Sequence, residues 1–303
     1  MLEFIWLKPE DEWKVITIPE LVMSKSRPHI SLRLRARLRR EIVCALMVVS
    51  SLSCRALPAR SDGGSLPNAP QAQTLAQRQS QSTVTVLGSP RDILHDQKAI
   101  WTSPFHLRAH DLKWLTPLAL ATGAAIATDH RAMSQVVSRD PGFNNANINT
   151  SNALIGGFIA LPVAIFGYGH FEQDDHARAA GILGGEALVD GVAVEQGMKL
   201  IFWRERPAVD SARGRFFQSS AGVDSSFPSS HSVLAWAAAA TIAGEYPSRW
   251  KQIAVYSAAT GVSLTRVLGQ QHFPSDVLVG SAAGWLVGHY IAHRHRRHAS
   301  AVR

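Results

Sequence analysis

Beyond about residue 98 the chain alternates apolar runs rich in Ala, Gly and Leu with short polar stretches, the runs lying at roughly 112–128, 153–169, 179–202, 232–245, 252–268 and 277–293. They are too long for ordinary strands and lack the period-two alternation of a half-buried sheet, so the pattern predicts helices. The expected fold is all-α, a helical bundle of about six helices, with its chemistry at helix ends and connecting loops. The run at 179–202 carries Glu186, Asp190, Glu195 and Lys199. The spacing of its three acids is helical and reads as packing or as a polar inner face, because unpaired charge among apolar groups is costly. No internal repeat of fixed period is present.

Upstream the composition changes. Residues 57–97, including "SDGGSLPNAPQAQTLAQRQSQST", are too polar to bury a core and read as a flexible linker. In 23–56, "RLRARLRRE" precedes "IVCALMVVSSLSC" and "RALPA", the order of a positive region, an apolar region and small residues near a cleavage point. This arm is expected to be a signal peptide or an N-terminal anchor. Leu52 lies one position too close to Cys54 for a lipid-attachment box, and residues 1–22 fit no export signal, so Met23 reads as the start. The expected helical domain is 98–293, and 294–303, with "HRHRRH", reads as a basic tail suited to anionic lipid. The two cysteines, Cys44 and Cys54, both lie in the arm. The helical domain therefore has neither a disulfide framework nor a thiolate metal site.

The net charge of +8 is local: Met23 to Arg60 holds nine Lys/Arg against one acid, leaving 22 of each elsewhere. A nucleic-acid partner is thereby excluded, since no basic stripe crosses the helical domain. The cleanest apolar runs fall short of the about 20 residues of a membrane span, and the run at 179–202 carries four charged residues that are costly in lipid unless they face a polar interior. If all six crossed after cleavage of the arm, the loops after the third and fifth would face the cytoplasm, whereas an uncleaved arm would turn them outward. The expectation is an exported domain, periplasmic or at the outer face of a membrane, soluble or lying on it; an integral membrane protein is the alternative.

Three stretches combine cations, histidine or hydroxyls beside helix ends: "KLIFWRERP" with Lys199 and Arg206, "PSSH" with Ser229, Ser230 and His231, and "TRVLGQQHFPSD" with Arg266, His272 and Asp276. Each alone has an ordinary reading: charges complementing a helix dipole, an N-cap, a local His–Asp hydrogen bond. Together they are the parts for holding a phosphate. Helix-start amides and two planar guanidinium forks would bind its oxygens, with Lys199 as a compact charge.

These stretches resemble the three motifs of the type 2 phosphatidic acid phosphatase and vanadium haloperoxidase superfamily, in order and with matching internal spacing, over about 180–293. Ser230 stands where the family usually has glycine, and Thr265 where it usually has serine. The resemblance implies His272 as nucleophile forming a phosphohistidine, Asp276 accepting its Nδ1–H, and His231 as general acid and then base. Lys199, Arg206, Ser229, Ser230 and Arg266 would bind the phosphate. No metal or other cofactor is implied. The expected substrate is a phosphorylated lipid, such as phosphatidic acid or a polyprenyl diphosphate, or a small phosphoester as for a non-specific acid phosphatase, with membrane association. A vanadium haloperoxidase and a non-catalytic membrane or scaffold protein are the readings from other classes. "TDHRAMSQVVSRDPG" reads as a solvated loop, and "HFEQDDHAR" lacks metal-ligand spacing.

Overall fold

The computed structural model describes residues 84–86 and 88–301, so the N-terminal arm and most of the expected linker lie outside the described residues. Seven α-helices follow in order: α1 (Ser89–Thr102), α2 (Leu112–Arg131), α3 (Pro141–Phe171), α4 (Asp175–Phe202), α5 (Ser230–Glu245), α6 (Arg249–Leu268) and α7 (Pro274–Ala301). No strand occurs among the described residues. The fold is all-α, as expected, with one helix more than the apolar runs predict.

The additional helix is α1, which begins inside the stretch expected to be linker. Its anchor is polar: buried Asp96 pairs with Arg294, and Gln97 Nε2 donates to Asp190 Oδ1 at 2.8 Å. The helix is short and polar on average, and an ion pair to a residue 198 positions away leaves no local signal. For the same reason the tail expectation fails at its first residues. Helix α7 continues through them, with Arg294 also 3.5 Å from Glu186 and His295 3.5 Å from Glu245.

Helix α3 begins well before its predicted apolar run. Asp140 caps it, accepting from Phe143 N–H at 2.7 Å, and Pro141 sits at its first turn. Its Asn-rich opening turns favour caps and turns intrinsically, so apolar periodicity locates only the later part. Helix α3 is also the one helix among the described residues whose length and composition suffice to cross a membrane. Asp174, in the stretch weighed for metal binding, instead caps α4 by accepting from His176 and Ala177 N–H at 2.9 and 3.1 Å.

Helix α5 is the centre of the bundle, contacting α3, α4, α6 and α7. Its alanines 235 and 237–239 are fully buried among Leu183, Ala187, Val262, Val287 and Ile291. Small side chains let α7 lie against α5 in parallel register: Gly280 meets Ser229, Gly284 meets Val233 and Gly288 meets Ala237. A Cβ at position 284 would stand 2.1 Å from the Val233 carbonyl oxygen. This approach sets the starts of α5 and α7 side by side, where Ser229 N–H donates to the Asp276 carbonyl at 3.2 Å. Helix propensity alone favours Gly→Ala by about 1 kcal/mol. Gly284→Ala is nevertheless expected to destabilise the protein by about 2 kcal/mol, because the clash is with backbone and only separation of the helices relieves it. A melting temperature equal to or above that of the parent chain would refute this packing.

Candidate active site

Four helix ends and one polar helix flank meet around the predicted residues. Lys199 lies in the last turn of α4; Ser229, Ser230 and His231 open α5; Arg266 is in the last turn of α6; His272 and Asp276 border the start of α7. The fifth contributor is the Asn-rich flank of α3, which supplies Ser151 and Asn152.

Buried Lys199 has its Nζ 3.5 Å from Glu195 Oε2. Burial lowers its pKa, opposed by the Glu195 charge. Arg206, more exposed, anchors its Nε–H on the Asp224 carbonyl at 2.9 Å. Arg266 is 6% exposed, and one of its Nη–H groups donates to Ser151 Oγ at 3.3 Å. Its buried Nε–H has no protein acceptor. Burial, reinforced by Arg206, pushes Arg266 down to about 10. A buried guanidinium donor without a protein partner is costly unless another group satisfies it.

At the start of α5 the side chain of Ser229 does not cap the helix; its buried hydroxyl accepts from Ser232 Oγ at 3.2 Å. The Ser230 hydroxyl turns to Glu195 Oε2 at 3.0 Å. The ordinary N-cap reading is therefore not realised, and the first-turn amides are left without a Ser229 side-chain partner. His231 Nε2 meets Asn152 Oδ1 at 3.0 Å. An amide oxygen only accepts, so this nitrogen carries hydrogen and Nδ1 is the one left to protonate. Burial pushes His231 down to about 3, helped by Arg266, His272, Lys199 and Arg206.

His272 is 1% exposed, and its Nδ1 lies 2.8 Å from the Ser226 carbonyl. The carbonyl can only accept, so Nδ1 bears the proton and Nε2 the lone pair. Asp276 was expected to be that acceptor and is not. Its Oδ2 is 3.6 Å from Nδ1, already accepting from Ser226 Oγ at 2.6 Å and Phe273 N–H at 2.9 Å, while Oδ1 is held by Arg204 at 2.6 Å. Asp276 thus acts on His272 through charge, and the tautomer is set by backbone. Burial pushes His272 down to about 4 against the opposing pull of Asp276, with Arg266 and Arg206 adding to the depression.

Residues 179–299 match the family model of the PAP2 superfamily. By this match the segment is similar to the PAP2 superfamily. The lipid A 1-phosphatase of Porphyromonas gingivalis is 42% identical over 65 residues, 21% of this chain and 15% of that protein. The chain thus aligns with under a sixth of the relative's length. Among solved structures, the transmembrane PAP2-type phosphatidylglycerolphosphate phosphatase of Bacillus subtilis is 20% identical. The two superpose with a TM-score of 0.44 over 69% of this chain and 97% of the other.

Several residues around the candidate site had no functional role in the sequence pattern. Asp129, expected in a solvated loop, is buried and paired with Arg204 at 2.7 Å across 75 residues of chain. Arg204 itself was within reach, two residues before Arg206 in a stretch already singled out. Asn152 and Ser151 carried no local signal, because their partners His231 and Arg266 lie 79 and 115 residues away.

Proposed function

We propose that the chain is a metal-independent phosphatase acting on a lipid phosphate or polyprenyl diphosphate through a phosphohistidine. The observation that carries this reading is the Arg266 guanidinium, buried with an unpartnered Nε–H and within electrostatic reach of Arg206, His231 and His272. Such a cage suits a tetrahedral polyanion, which supplies acceptors to several convergent donors at once.

In this scheme Lys199, Arg206, Arg266 and the amides at the start of α5 hold the phosphoryl oxygens. The Nε2 lone pair of His272 attacks phosphorus, and the bond to the leaving oxygen breaks. His231, protonated in the substrate complex, gives that oxygen its proton. A water then attacks the phosphohistidine while His231 takes the proton back, releasing inorganic phosphate and restoring neutral His272. Glu195 holds Lys199 and Ser230 in place. Cations and amides supply the charge stabilisation that a metal supplies in other phosphatases.

The lipid class is supported by the apolar surface beside the site. A groove of about 590 Å³, lined by Trp114, Leu118, Leu264, Val277, Trp285 and Leu286, runs along α7 from the residue following Asp276. Helix α3 leaves Ile159 and Val163 exposed. The named activity of the lipid A phosphatase relative points the same way, and membrane association follows from such a substrate.

The chain purified in detergent is expected to release phosphate from phosphatidic acid or a polyprenyl diphosphate in excess EDTA. Hydrolysis confined to para-nitrophenyl phosphate would select the acid-phosphatase alternative instead. Bromination dependent on vanadate and peroxide would select the oxidase, and silence in all assays a non-catalytic role. Activity that needs an added divalent ion would overturn metal independence.

A further inference from the structure

Arg204 is the largest fully buried side chain of the described residues, 1% exposed, and all three of its guanidinium nitrogens donate. Nε donates to the Gly214 carbonyl at 3.1 Å, one Nη to Ser275 Oγ and Asp276 Oδ1 at 2.6 Å each, and the other to Asp129 Oδ2 at 2.7 Å. Its plane lies over Phe273 and Phe216, 4.2 and 4.6 Å from their ring centres. Gly214, at φ +60°, closes the pocket: a Cβ there would stand 2.5 Å from Phe273. Asp129 in turn accepts from Ser275 N–H at 3.1 Å and bonds the Ser275 hydroxyl. One cation therefore bridges two buried carboxylates, one of which faces Nδ1 of His272.

A lone Arg204–Asp276 pair would be neutral and would offer His272 little charge. The second carboxylate leaves the bridged group with one net negative charge, and it also fixes the guanidinium that fixes Asp276. Stability alone is a poor reason for such a triad, since buried ionic groups are often no better than apolar ones of equal volume. Resting on the reading of His272 as nucleophile, we infer that Asp129, acting through Arg204, is a positioning residue for phosphoryl transfer. It holds Asp276 in place and sustains the negative charge that favours the cationic character His272 gains as Nε2 bonds phosphorus. Asp129 belongs to α2, outside the segment 179–299 that matches the PAP2 family, so the matching segment alone lacks it.

The other charged and titrating groups facing His272 are His231, Arg206, Arg266 and Asp276, and all are retained in Asp129→Asn. In the full chain this variant is expected to lower kcat per active site, counted by burst titration, by about 10- to 100-fold with KM nearly unchanged. The acid limb of kcat/KM should move to lower pH, because removing a negative charge weakens the hold of His272 on a proton. Unchanged kcat and pH profile, with only a lowered melting temperature, would overturn the inference. His272→Ala measured in parallel separates the two levels: turnover retained there sinks the nucleophile assignment. A dead His272→Ala beside a wild-type Asp129→Asn sinks the positioning role alone. If Asp129→Asn does not accumulate folded, Ser275→Ala removes one bridge without changing charge. It is expected to cost about 3-fold or more in kcat per active site, and an unchanged kcat there overturns the inference.

Discussion

His272→Ala is expected to eliminate turnover, by about 10⁴-fold or more, and to leave no acid-labile phosphoenzyme after rapid quench with labelled substrate. The Ser226 carbonyl fixes the proton on Nδ1, burial and two arginines keep the ring neutral with a pKa near 4, and Nε2 is the nitrogen left with a lone pair. The variant leaves the Ser226 carbonyl without its donor, at a cost of about 1–3 kcal/mol. The cationic cage is untouched, so the variant should still bind inorganic phosphate or vanadate. Binding without phosphoenzyme is the expected signature. A labelled phosphoenzyme in His272→Ala would place the nucleophile elsewhere.

His231→Ala is expected to cost about 10²- to 10⁴-fold, and to cost most for substrates with poor leaving groups, because a good one departs without a proton. Equal losses for alkyl and para-nitrophenyl esters would remove His231 from that role. Burial and the neighbouring cations hold this imidazole neutral, at about 3, so a general acid at neutral pH must gain its proton with the substrate. A phosphate dianion beside His231 raises the pKa that burial and the cations had lowered. By linkage, phosphate binding should take up a proton and tighten as pH falls. Calorimetry in buffers of different ionisation enthalpy measures that uptake, which should disappear in His231→Ala.

Much of the site was legible because its chemistry is packed into short segments. Lys199 and Arg206, the "PSSH" turn, and Arg266, His272 and Asp276 each occupy one helix end. Their spacing therefore survives in a linear reading. The detail that changed is the partner of His272 Nδ1. A carboxylate four residues away is the natural guess, whereas the Ser226 carbonyl comes from a loop 46 residues distant. Asp129 was misread for a related reason: an acid after an apolar run is usually solvated, and its neutralising arginine is visible only once α2 and the loop after α4 are packed together.

The chain's one-dimensional pattern determined the helical class, four of the helices nearly to their ends and which short segments carry the candidate site, because helical burial and helix-end chemistry are set by residues within a few turns. Tertiary structure alone decided the rest. Helix α1 and the continuation of α7 at Arg294 are secured by an ion pair between them, the opening turns of α3 by the polar site they face, and Asp276 by an arginine it shares with Asp129. Charges buried far apart in sequence leave no periodicity. Their partners are fixed only when folding withdraws both from water and makes an unpaired one too costly to keep.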